Sequence, residues 1–96
     1  MKRNYEGMFI FHPDLDEEAL NKEITFVEKM IKENDGESVN YQIIGKKTLA
    51  YPVKKKNEGY YVNFFFDTPP SAIAKIKTEL KHRGNILRFI FFRTEE

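Results

Sequence analysis

Apolar residues come in two rhythms along this chain. Tyr5 leads into Met8, Phe9, Ile10 and Phe11, a nearly unbroken run of the kind found in a strand buried on both faces. His12-Pro13-Asp14 ends it. Leu20, Ile24, Val27 and Ile31 then recur at spacings of four, three and four, which is one stripe of an α-helix. Asp14 with Glu17 resembles a capping box, Asp16 competes for the N-cap, and Asn34-Asp35-Gly36 supplies the stop. Lys22, Glu23, Lys29 and Lys32 lie off the stripe.

The alternating rhythm returns at Val39, Tyr41 and Ile43, and resumes after Gly45 at Leu49, Tyr51 and Val53. Gly45 marks a bulge, and Pro52, which has no N–H to give a ladder, places this strand at a sheet edge. A loop at Lys54–Gly59 leads to a third strand, Tyr60–Asp67. There Tyr60, Val62, Phe64 and Phe66 share one face, and Tyr61, Asn63 and Phe65 share the other. Thr68-Pro69 opens a second helix, Thr68 as N-cap and Pro69 at the first helical position. Its stripe is Ile73, Ile76 and Leu80, with Lys75, Lys77 and Lys81 off it, and Gly84-Asn85 closes it. The last strand, Ile86–Arg93, sets Leu87, Phe89 and Phe91 against Ile86, Ile90 and Phe92.

The order is β-α-β-β-α-β, so the fold class is α+β: a ferredoxin-like split βαβ with a four-stranded antiparallel sheet. Right-handed crossovers put the first and third strands in the middle and both helices on one face. The uncovered face must then carry large apolar residues from three strands, which points to a partner. With 96 residues, 41% of them hydrophobic, residues 1–96 are expected to form a single domain able to bury one core. Cysteine is absent, which removes disulfides, thiolate metal sites and cysteine nucleophiles and fits a reducing cytosol. The start lacks the apolar core of a signal peptide and no stretch is long enough to span a bilayer, so a soluble cytoplasmic protein is expected.

No catalytic constellation can be assembled. His12 and His82 have no ligand partners at metal spacing, and Asp16, Glu17 and Glu18 complement a helix N-terminus. Small phosphatases of this fold carry a phosphate-cradling loop after the first strand; here that place holds His12-Pro13-Asp14-Leu15. Neither an enzyme nor a metal, cofactor or small-molecule substrate is expected. Against the RNA-recognition signature, Glu58-Gly59-Tyr60-Tyr61-Val62-Asn63-Phe64 has Glu58 where a base belongs and Val62 where the stacking aromatic belongs.

Charge is more telling. The net charge of +1 divides into −5 over residues 1–37 and +6 over residues 38–96, so one face can be strongly basic. Lys46, Lys47, Lys54, Lys55 and Lys56 flank or occupy a hairpin tip. Lys2 and Arg3 precede the first strand, Arg83 ends the second helix, and Arg88 interrupts an apolar strand, where its planar fork suits phosphate. With Lys81 and Arg93, these nine are candidates for contact with a polyanion. Such contacts go mainly to backbone phosphates and position a protein without reading sequence.

The residues resemble the bacterial small-subunit ribosomal protein S-six family. The match runs from Tyr5-Glu6 and Pro13-x-Leu15, through Gly45-x-x-x-Leu49-Ala50-Tyr51-Pro52-Val53 with Lys55 and Gly59-Tyr60. It ends at Leu80 with Arg83 and Asn85 and at Leu87-Arg88, covering residues 3–93. The Leu-Ala-Tyr-Pro block ahead of a basic turn is its specific part. The resemblance implies a non-enzymatic protein that binds the central domain of the small-subunit ribosomal RNA as a heterodimer with ribosomal protein eighteen. By matching position, Lys2, Arg3, Lys46, Lys47, Lys54, Lys55, Lys56, Arg83 and Arg88 are the candidates for contact with RNA, and Tyr51, Pro52 and Val53 are candidates for the protein partner. The chain departs from the family at Asn63, where other members can place a large aromatic, and at Glu96, soon after the last strand, where many carry a longer tail. A different reading of the uncovered face is an interaction or ligand-sensing module that homodimerises through it.

Overall fold

A computed structural model of the chain describes residues 1–94; the short end noted at Glu96 lies outside the described residues. The elements are β1 (Arg3–Phe11), α1 (Glu17–Glu33), β2 (Glu37–Val53), β3 (Lys56–Thr68), α2 (Pro70–Leu80) and β4 (Ile86–Arg93). The strands form one antiparallel sheet in the order β2-β3-β1-β4. The split βαβ is therefore as its hydrophobic rhythm predicts, with β2 and β4 at the edges.

One face of the sheet makes the core. Tyr5, Phe9 and Phe11 of β1 and Val62, Phe64 and Phe66 of β3 pack against Leu20, Ile24, Val27 and Ile31 of α1 and Ile76 and Leu80 of α2. Phe9 is fully buried at the centre, with the rings of Phe11, Phe64, Phe89 and Phe91 at 5.1–5.8 Å. On the other face Phe65, Ile90 and Phe92 remain exposed.

The caps differ in detail from the sequence reading. Asp16, not Asp14, caps α1, its Oδ1 accepting from the Ala19 N–H at 2.8 Å. Thr68 does not cap α2: the N-cap is Pro69, and Pro70 takes the first turn. Thr68 is still paired in the sheet, opposite Arg3, so its side chain points into the helix layer. There its buried hydroxyl donates to the Asn34 carbonyl at 3.0 Å and satisfies the end of α1 instead. Asp35 takes the left-handed conformation beyond α1, with φ 66°. Gly36 is needed for space, because a Cβ there would lie 2.3 Å from the Ile31 Cγ2.

Register breaks decide which residues face where. On β4, Ile10 pairs with Arg88 and Phe11 with Ile86, leaving Leu87 as one extra residue. This bulge reverses the expected sides at that end: Ile86 joins the core, and Leu87 turns to the other face beside Ile10 and Leu49. On β2 the ladder shifts between Ile43 and Gly45, as Gly45 suggests. The expected loop at Lys54–Gly59 is a tight turn. Val53 pairs with Lys56, and the two residues between them, Lys54 and Lys55, have φ 49° and 68°, the signature of a type I′ turn.

Candidate nucleic-acid interface

The hairpin end is built around a large bulge. Thr48 pairs with Glu58 and Val53 with Lys56, so Leu49, Ala50, Tyr51 and Pro52 stand opposite Asn57 alone. Pro52 loses no ladder hydrogen bond there, which is why this block tolerates it. Freed from the ladder, Leu49 turns inward and is 8% exposed against Ile10 and Leu87, with Val53 and Tyr61 packed alongside. Gly59 lets the strands close here, since a Cβ would sit 2.3 Å from the Ile10 Cγ2. The tip thus folds over one end of the uncovered face.

Side chains then fasten it. Arg88 of β4 donates from Nη1 to the Tyr51 hydroxyl, and its guanidinium lies 6.0 Å from that ring. Lys54 Nζ donates to the Ile86 carbonyl at 3.2 Å, and Lys56 Nζ pairs with Asp14 at 3.0 Å. The Lys56 ammonium holds the Asp14 carboxyl below the ordinary carboxylate range, by its hydrogen bond first and its charge second. Lys46 lies 5.1 Å over the Tyr60 ring on the helix side. Lys47, one residue on and paired with Gly59, belongs to the opposite face. Lys47 and Lys55 are both exposed.

Arg83 is committed within the protein. Its Nε and Nη2 donate to the two Glu23 carboxylate oxygens at 3.0 and 3.3 Å, and its guanidinium stacks on Phe26 at 3.8 Å. Asn85 Nδ2 completes the set at 3.0 Å. Glu23, which lies off the apolar stripe in sequence, is only 5% exposed. Spacing alone did not find this cluster. The available signal was an acid three residues after Leu20, at the margin of the buried stripe.

The nine candidate bases divide between two ends of the molecule. Lys46, Lys47, Lys54, Lys55, Lys56, Arg83 and Arg88 gather where β1 and α2 end and β4 begins. Lys2 and Arg3 lie at the other end of β1, where Lys2 pairs with Glu37 and Arg3 stands opposite Thr68. The nine residues of β1 separate the groups by about 27 Å at ~3.4 Å per residue. Of the candidate partner residues, Tyr51 and Pro52 are exposed and Val53 is half-buried.

Among the described residues no group of three or more His, Asp or Glu is placed to hold a metal. No helix among them is long and apolar enough to cross a membrane.

The family model for ribosomal protein S6 matches residues 4–93. The chain is 38% identical over 94 residues to the small ribosomal subunit protein bS6 of Thermoanaerobacter pseudethanolicus, covering 98% of this chain and 99% of that one. Its counterpart in Caldanaerobacter subterraneus is 36% identical over 94 residues, covering 98% and 99%. The crystal structure of 30S ribosomal protein S6 from Thermotoga maritima superposes with a TM-score of 0.88 at 29% identity, covering 97% of this chain and 88% of that one. A near-complete match in sequence and the same fold agree: the chain belongs to the ribosomal protein S6 family, a family of small-subunit structural proteins and not of enzymes.

Proposed function

We propose that this protein is a structural constituent of the small ribosomal subunit, in the cytoplasm, binding the central domain of small-subunit ribosomal RNA as a heterodimer with ribosomal protein eighteen. The observation that carries this reading is the convergence of bases on the hairpin end. Lys47 and Lys55 reach solvent there, beside an Arg88 anchored on Tyr51. Lys54 and Lys56 are tied within the protein, so they hold the tip in place and add charge to it. Arg83 acts through Glu23 as a brace for the same end. Lys2 and Arg3 would form a second contact, about 27 Å away along β1. Tyr51 and Pro52, held off the ladder, with Val53 at its next pair, offer the protein partner an irregular surface.

The test is a filter-binding titration of the heterodimer on the ribosomal RNA domain across a range of salt. Lys47→Glu with Lys55→Glu weakens binding and makes the log–log salt slope shallower by roughly 0.7–0.9 for each phosphate no longer neutralised. Unchanged affinity and slope would sink the hairpin assignment. Tyr51→Ala lowers affinity for ribosomal protein eighteen in a pull-down. Exposed Phe65, Ile90 and Phe92 favour one other reading, pairing of two copies through the uncovered face. A stable homodimer in sedimentation, with no RNA affinity, would select it.

A further inference from the structure

On the sheet face away from the helices, an acid sits in an apolar row. β1 is a central strand, and there Glu6 stands directly opposite Phe65 of β3 on one side and Phe92 of β4 on the other. Residues directly opposite share a face with Cβ atoms about 4.5–5.5 Å apart, so a carboxylate is set between two aromatic side chains. Phe65 and Phe92 are 37% and 40% exposed, and Ile90, in the next row, is 48% exposed. Glu6 itself is half-buried.

Glu6 has no counter-charge: among the described residues no ion pair or side-chain hydrogen bond reaches its carboxylate. Lys2, on the same face of β1, is paired with Glu37. Arg88, also on this face, lies toward the hairpin opposite Ile10 and is held by Tyr51. Arg3 and Arg93 take the side of Tyr5, the helix face. The next row sets Asn63 opposite Met8, and the Asn63 Oδ1 is a buried acceptor with no hydrogen-bond donor among the described residues. Covering a carboxylate without a partner is costly, so whatever covers these rings must bring a cation to Glu6. Both groups accept hydrogen bonds, which suits a guanidinium, with five donors, no acceptor and a plane that stacks on aromatic rings.

We propose that this face docks a helix of a protein partner, whose arginine, set among apolar residues, pairs with Glu6 between Phe65 and Phe92. The form of the occupant follows from the backbone. β1 and β3 are each paired on both sides, so the middle of the face has no N–H or C=O to give, and an occupant must satisfy its own. A helix does so within itself and leaves its side chains to make the contact. The apolar neighbours of its arginine cover Ile90 and the two rings. A second copy of this chain fits less well, because a two-fold axis through the patch sets Glu6 against Glu6 on a surface losing its water. Glu6 lies four residues along β1 from Ile10, where the hairpin packs, a separation of about 14 Å. The site is thus apart from Tyr51, Pro52 and Val53 and does not rest on the RNA-binding reading.

The probe is a fluorescein-labelled, stapled helical peptide with leucine, arginine and leucine at successive turns of one face. It is titrated by fluorescence polarisation, with NMR mapping of the amides. It binds with a Kd below about 1 mM and shifts Glu6, Phe65, Ile90 and Phe92. Replacing its arginine with citrulline, which keeps the shape and removes the charge, weakens binding roughly tenfold, as does Glu6→Gln in the protein. The two changes together cost little more than either alone, because they remove one interaction. Absence of binding up to millimolar concentration overturns the proposal, as does equal affinity for the arginine and citrulline peptides. Shifts centred on the helices or the hairpin tip overturn it too, and so does a homodimer through this face that Glu6→Gln strengthens. None of these outcomes alters the hairpin titration on RNA, since Lys47 and Lys55 lie at the other end of the sheet.

Discussion

Replacing Glu23 with alanine tests the brace at the base of the hairpin end. Its carboxylate accepts from Arg83 Nε, Arg83 Nη2 and Asn85 Nδ2 at 3.0, 3.3 and 3.0 Å, and its side chain is 7% exposed. Breaking one partner of a fully buried ion pair costs about 3–5 kcal/mol, because the other charge is left without solvent or counter-charge. Here the Arg83 side chain is 39% exposed and can rehydrate once freed, so the expected loss is about 2–3 kcal/mol. For a domain of this size that lowers Tm on the order of 10–20 °C. Urea denaturation with linear extrapolation measures it, and Arg83→Ala with the double variant completes a cycle. The coupling should exceed about 1 kcal/mol and persist at high salt, since a buried pair is poorly screened. A loss below about 0.5 kcal/mol, or additive single variants, would refute the role of burial. Glu23→Gln keeps the shape but sets an amide against the guanidinium, and it should fall between wild type and Glu23→Ala.

Further outcomes follow from the hairpin. The folded-state pKa of Asp14 is depressed by Lys56, so the pair's contribution is present above the unfolded value and lost as pH falls through the folded one. An NMR titration should place the Asp14 midpoint below that of an unfolded-peptide reference, and Lys56→Gln should move it up; no movement would exclude the pair. Lys55 holds a left-handed φ of 68°, which costs a non-glycine residue about 1 kcal/mol. Lys55→Gly should therefore raise stability by roughly 0.5 kcal/mol, net of glycine's entropy, while weakening RNA binding; lower stability by urea melt would contradict the turn type. Leu49→Ala should cost about 2–3 kcal/mol through the cavity left beside Ile10 and Leu87, and proteolysis should then nick the hairpin tip first. Equal stability to wild type would mean that the tip does not pack on the sheet.

The element order, both helical stripes, the faces of β3 and the edge position of β2 were legible in the sequence, because period and proline act locally. Asp16 was legible only as one of two caps. The sidedness at Ile86 and Leu87 was not, since one extra residue reverses a strand's faces and nothing in that apolar run shows where it sits. Thr68 misled for a similar reason. Its type and place suit an N-cap, yet the ladder with Arg3 turned its hydroxyl toward the end of α1.

By itself the sequence determined that this is a ferredoxin-like domain with a basic second half, and it carried the residues of its family. The tertiary structure decided how those bases are used. Folding brings Asp14 to Lys56, the Ile86 carbonyl to Lys54, Tyr51 to Arg88 and Glu23 to Arg83, pairings between residues far apart in the chain. Charge can be counted along a sequence, but whether a charge meets solvent or a partner depends on distances that only the packed chain sets. Lys47 and Lys55 are left at the surface, and Lys54, Lys56, Arg83 and Arg88 are tied to groups of the protein around them.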